Sequence, residues 1–107
     1  MLCILDRCRR EMLEFPEEIR IDLADAFARL QEGHMLSMPL SRPMPSIGRG
    51  VHELRIRDRS GIYRTVYYLA GAGMIYVLHA FKKKTRETSW QNLEIAKKRL
   101  GEVMRET

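Results

Sequence analysis

The chain has 107 residues, a formal net charge of +5 and 45% hydrophobic residues. This composition excludes a disordered chain, and one domain of this length can bury a modest core without disulfides or metals. There is no apolar run of about 18 residues to cross a membrane, and the apolar start is too short and too quickly charged for a secretory signal. We therefore expect a single soluble domain over residues 1–107, located in the cytoplasm.

The first third of the chain predicts two helices. Residues 6–14 are charged, with apolar side chains at helical spacing, and Pro16 suits the start of a second helix. An apolar stripe at helical spacing then follows, formed by Ile19, Leu23, Ala26, Phe27 and Leu30. Gly33 predicts the end of this helix. The pattern leaves open whether residues 1–5 form a short strand.

Residues 34–50 predict a loop. Three prolines and two glycines in this segment argue against any regular element. A loop of this length is unusual in a small domain, so we expect it to contribute to binding.

The pattern then changes to an alternation of period two. Residues 51–57, 62–70 and 74–81 read as strands, and they are separated by the turn signals Asp58–Gly61 and Gly71–Gly73. Two such short connections predict an antiparallel meander.

A last helix is predicted near the end of the chain. Thr88 or Ser89 can cap it, and Thr88 with Gln91 fits a capping box. The predicted fold class is α+β: an N-terminal helical hairpin packed on a three- to four-stranded antiparallel sheet, with a C-terminal helix.

Basic residues are concentrated on the predicted strands. Alternation points Arg55 and Arg57 to one side of their strand, and Arg64 lies just past the turn on the next. Lys82–Lys84 leave the end of the third strand. Crowded cations are stabilised by solvent or by a bound anion, so this pattern predicts that the three segments surround one concavity that serves as a phosphodiester site. The alternative is a solvated strand face, with Arg64 in a weak surface ion pair to Glu53 or Asp58.

Other residues predict structure rather than chemistry. Tyr63, Tyr67 and Tyr68 are typical of sheet packing, Trp90 of a core anchor, and His79 of a buried strand position. The cysteines and histidines lack metal-ligand spacing, and no carboxylate lies close enough in sequence to complete a catalytic triad. We therefore expect neither a metal nor a cofactor.

Several segments, in this order, resemble toxins of the RelE/ParE superfamily. They are GVHELRIRDRSGIYRTVYYL, IYVLHAFKKKTRET and LEIAKKRL, and the hallmark order ELR, YR, LH-F-KKT is that of the phage-derived RelE/HigB-like subgroup. The earlier FPEEIRIDLADAFARLQEGH is similar to the helical hairpin of the same subgroup. The resemblance covers nearly all of the chain from about residue 11.

The resemblance implies the toxin of a type II toxin–antitoxin system. Such a toxin is a ribosome-dependent, metal-independent mRNA endonuclease that inhibits translation through attack of a 2′-hydroxyl on the adjacent phosphate. Its implied catalytic residues here are Arg64 for transition-state charge, Lys83 for the leaving oxygen or phosphate, and Arg55 for orienting the scissile phosphate. Further contacts to RNA are implied for the remaining basic residues Arg57, Lys82, Lys84 and Arg86.

The implied partners are the ribosome, mRNA and a cognate antitoxin of the helix-turn-helix type. Glu53 departs from relatives that carry lysine there, and Trp90 or Ser89 is nearest to an aromatic or histidine of relatives. Two other hypotheses remain open: a ParE-like inhibitor of DNA gyrase, and a degenerate, non-catalytic binding module of phage origin.

Overall fold

A computed structural model of the chain describes residues 1–83 and 88–106. Its elements, in chain order, are β1 (Leu2–Ile4), α1 (Asp6–Leu13), α2 (Glu17–Gln31), β2 (Ser41–Pro43), β3 (Val51–Asp58), β4 (Gly61–Leu69), β5 (Ile75–Lys83) and α3 (Trp90–Glu106). The α+β class, the helical hairpin and the C-terminal helix are confirmed. None of the described helices is long and apolar enough to cross a membrane.

The sheet differs from the prediction in strand number and direction. It has five strands in the order β1-β5-β4-β3-β2, and it is mixed because β1 runs parallel to β5 while the other pairs are antiparallel. The segment 34–50 is also not wholly irregular, because Ser41–Pro43 pairs with β3. A proline is tolerated there since β2 is an edge strand, and three residues are too few to show a period in the sequence.

The helical hairpin covers one side of the sheet. The predicted stripe of α2 is buried, and it packs with Leu54 and Ile56 of β3 and with Tyr63 and Tyr67 of β4. The burial of both tyrosines confirms their predicted packing role. Each large apolar side chain that is fully buried in this way contributes about 1.5–3 kcal/mol.

Helix α3 packs on the opposite side of the sheet. Ala96, Leu100 and Val103 contact a second apolar cluster that includes Val66 and Leu78. At the other end of this side, towards the β3–β4 turn, Arg57 is exposed and Lys83 is half-buried. The apolar residues of this side therefore lie against α3, and Arg57 and Lys83 lie nearer to the β3–β4 turn.

Ser89 caps α3, as one of the two alternatives predicted. Its Oγ accepts hydrogen bonds from the backbone N–H and the side-chain amide of Asn92, at 3.3 and 2.8 Å. The predicted Thr88–Gln91 capping box is wrong, because the Thr88 hydroxyl bonds to the sheet instead. Trp90, predicted as a core anchor, is 70% exposed.

Candidate nucleic-acid interface

The strand register brings the predicted catalytic residues to one side of the sheet. Arg55 lies directly opposite Arg64, and Arg64 lies opposite Phe81, two residues before Lys83 on β5. Paired residues on neighbouring strands point to the same side, as do residues two apart on one strand. Arg55, Arg64 and Lys83 therefore share the α3 side of the sheet.

Two further arginines point to this side. Arg57 is two residues beyond Arg55 on β3, and Arg42 of β2 lies directly opposite Glu53. We call this set the basic face; its members are Arg42, Arg55, Arg57, Arg64 and Lys83. Among the described residues it draws cations from four adjacent strands.

Arg64 pairs with Glu53, one of the two partners that the alternative named, but the pair is buried and not on the surface as predicted. The side chains of Arg64 and Glu53 are both 0% exposed, with Nη1 of Arg64 at 3.3 Å from Oε1 of Glu53. The Thr88 hydroxyl accepts a hydrogen bond from Arg64 at 2.9 Å and donates one to Glu53 at 2.8 Å. Thr88 comes from the far side of the β5–α3 connection, which strand alternation does not reveal.

Arg42 binds the same carboxylate and was not predicted from the sequence. Its Nε donates to Oε1 of Glu53 at 3.2 Å, and its side chain is 31% exposed. Burial lowers the pKa of Arg64; Glu53 opposes this shift, while the nearby charges of Arg55 and Arg42 add to it. Two guanidinium groups thus bind one carboxylate with the charge of Arg55 nearby, and the cluster keeps a positive surplus.

Arg55 and Arg57 also reach the edge of the sheet. They line a groove of about 650 Å³ between α2 and β3, whose other lining residues include the acidic Asp22 and Asp25. Nε of Arg55 is buried and has no hydrogen-bond partner among the residues that the structure describes. This groove is lined by neither Arg64 nor Lys83, so it is not the predicted single concavity shared by the three catalytic candidates.

The remaining predicted RNA-binding residues are placed differently. Lys82 points to the hairpin side, where its Nζ lies 5.6 Å from the ring centre of Tyr63. Lys84 and Arg86 lie outside the described residues.

Residues 10–101 match the family described as phage-derived Gp49-like proteins (DUF891). The chain belongs to this family. The family is RelE-like and toxin-like, which agrees with the resemblance carried by the ELR, YR and LH-F-KKT segments. A search of curated proteins finds no match to the chain.

A second polar cluster joins α1, β5 and α3. The buried His79 places Nδ1 at 3.0 Å from Glu11 Oε1 and Nε2 at 2.7 Å from Asn92 Oδ1. Arg99 donates to both carboxylate oxygens of Glu11, at 2.8 and 3.0 Å. His79 is buried as predicted, but it does have a carboxylate partner, which sequence proximity missed because Glu11 is 68 positions away.

The environment of Glu11 favours its ionised form. Burial alone would raise the pKa of this carboxyl, but hydrogen bonds from His79, Arg99 and the backbone N–H of Ala80 outweigh burial and lower the pKa to about 2. The cluster therefore holds an ionised carboxylate against a buried guanidinium and fastens α3 to the sheet. In the described part of the chain, no three His, Cys, Asp or Glu side chains are grouped to hold a metal ion.

Proposed function

We propose that the chain is the toxin of a type II toxin–antitoxin pair, acting in the cytoplasm as a ribosome-dependent mRNA endonuclease of the RelE/HigB type that needs no metal. The observation that carries the proposal is the placement of Arg55, Arg64 and Lys83 on one side of the sheet. A surplus of guanidinium and ammonium groups on one surface favours a polyanionic ligand. Membership of a toxin-like family is consistent with a toxin role.

The reaction needs positioning and charge more than an external nucleophile. The RNA 2′-oxygen bonds to the adjacent phosphorus, and the bond from phosphorus to the 5′-oxygen breaks, leaving a 2′,3′-cyclic phosphate and a 5′-hydroxyl. The 2′ proton passes to solvent. Arg55 orients the phosphate and lowers the barrier to losing this proton, and Lys83 donates to the leaving 5′-oxygen.

Arg64 acts from beneath this surface. Its side chain is wholly buried under Thr88, so its charge adds to the potential at the face without contact in this conformation. Charges reach further in a low-dielectric interior than in water. Arg64 therefore stabilises the charge that develops at phosphorus and also holds Glu53 in place.

The partner that silences the toxin is proposed to be a small helix-turn-helix antitoxin. The groove between α2 and β3 has apolar lining from Ala26, Leu40 and Ile56. Its cations Arg29, Arg55 and Arg57 outnumber its carboxylates, which are Asp22 and Asp25. An amphipathic segment with acidic residues suits such a surface. Salt should then weaken the complex, because charge pairs at the edge of an interface are screened.

Induced expression followed by RNA mapping tests the proposal. We expect growth arrest and cuts in translated mRNA at positions set by the reading frame. Arg55→Ala and Lys83→Ala should reduce both, whereas Arg20→Ala, which removes the same charge from the exposed surface of α2, should not. Double-strand DNA breaks without RNA cuts would identify a gyrase inhibitor instead, and harmless overexpression would identify a non-catalytic binding module.

A further inference from the structure

Arg42 and Arg64 share one carboxylate but differ in their access to solvent. Both donate to Oε1 of Glu53, at 3.2 and 3.3 Å respectively. Arg64 is 0% exposed, whereas Arg42 is 31% exposed on the edge strand β2. A ligand arriving at the sheet can therefore meet the guanidinium of Arg42 without any rearrangement of the fold.

Arg42 also has hydrogen-bond donors that are available to a ligand. Its Nε is used by Glu53, and no hydrogen bond of its two terminal nitrogens is found among the described residues. Glu53 itself is already bonded to Arg64 and Thr88, so its charge is balanced without Arg42. A guanidinium fixed at Nε presents a planar, pre-oriented pair of donors, which suits a phosphate group.

We propose that Arg42 is an RNA-phosphate-binding residue of the basic face and that it holds the substrate backbone together with Arg55. This inference rests on the proposed function. Glu53 acts as a positioning residue here, because it fixes the Arg42 side chain before RNA arrives and so reduces the entropy lost on binding.

The position of Arg42 relative to Arg55 allows both side chains to bind the same RNA backbone. The backbone N–H of Arg55 donates to the carbonyl of Leu40, so Arg42 is two residues from the strand position opposite Arg55. Such diagonal neighbours lie about 7–8 Å apart. Two long, half-buried arginine side chains at this spacing can hold one phosphate or two consecutive phosphates of a single RNA strand.

The test is single-turnover cleavage of mRNA on preassembled ribosome complexes, measured against protein concentration at several salt concentrations. Arg42→Gln should raise the half-saturating concentration about three- to tenfold and leave the saturating rate within about twofold, since one backbone contact is lost. The log–log salt dependence should become shallower by about 0.7, the value for one contact to a single strand. The matched control is Arg20→Gln, which makes the same charge change on α2 and should reproduce the unmodified protein.

Equal half-saturating concentrations for Arg42→Gln and Arg20→Gln would overturn the inference while leaving the nuclease intact. Absence of cleavage by the unmodified protein would overturn the nuclease, and this inference with it. If Arg42→Gln does not fold, as judged by circular dichroism, Arg42→Lys replaces it. Lysine keeps the charge but cannot bind Glu53 and a phosphate through one planar group, so its half-saturating concentration should exceed that of Arg20→Lys; equality would overturn the inference.

Discussion

Replacing Glu11 by glutamine should lower the stability of the fold substantially. Glutamine has nearly the same shape, so the change removes charge and leaves the packing of α1 largely intact. The Arg99 side chain, only 8% exposed, would lose the carboxylate that binds it at 2.8 Å. A buried charge that loses its partner is strongly destabilising.

The pKa of Glu11 sets the size of the effect. A fall from the ordinary value of 4.5 to about 2 corresponds to about 3 kcal/mol of stabilisation when the group is ionised. The Glu11 side chain is 26% exposed, and screening by solvent reduces this to about 2–3 kcal/mol. We expect Glu11→Gln to lower the free energy of unfolding by that amount at pH 7.

The effect should depend on pH in one direction. Because the pKa is lower in the folded protein, the stabilisation is fully present above about 4.5 and is lost as the pH falls from 4.5 towards 2. The difference between the native protein and Glu11→Gln should therefore narrow by about 1 kcal/mol between pH 7 and pH 3.5.

Urea unfolding followed by circular dichroism measures both quantities. Glu14→Gln is the matched control, since Glu14 is exposed at the end of α1 and its replacement should cost less than about 0.5 kcal/mol. A loss below about 1 kcal/mol for Glu11→Gln, or a difference that stays constant down to pH 3.5, would refute this account of the cluster.

Three other substitutions have defined outcomes. Lys83→Ala should reduce mRNA cleavage more than Lys82→Ala, because Lys82 points to the hairpin side of the sheet; equal effects in a cleavage assay would contradict the placement of the site. Ser89→Ala should cost about 1 kcal/mol in thermal denaturation through loss of the α3 cap, and an unchanged melting temperature would show that the cap contributes nothing. Leu23→Ala should cost about 2–5 kcal/mol in urea unfolding because Leu23 is fully buried; a smaller loss would mean that the core closes around the cavity.

Local patterns in the sequence predict most of the secondary structure and the common side of Arg55 and Arg57 on β3. Period-two alternation and two short turns predict β3, β4 and β5, whereas the pairing of Arg64 with Arg55 and not Arg57 depends on the register seen in the structure. The strands and turns themselves depend on neighbours along the chain, so the order of residues is enough. The resemblance to the toxin family, in contrast, depends on the order of short motifs. It implies a reaction and candidate residues but not how those residues are arranged on the surface.

Contacts between residues far apart in the sequence are known only from the tertiary structure. The parallel pairing of β1 with β5 and the bond between Glu11 and His79 join positions about 70 residues apart. The periodicity of a short segment cannot predict contacts over such a separation.

Alternation along a strand follows from the order of residues alone, and it correctly places Arg55 and Arg57 on one side of β3. Which cations of the basic face meet solvent depends on the folded structure. Arg64 is covered by Thr88 and paired with Glu53 at 0% exposure, whereas Arg42, on a strand too short to predict from the sequence, is 31% exposed. Burial is a property of everything that packs around a side chain, so it follows from the assembled fold and not from the residue's own neighbours along the chain.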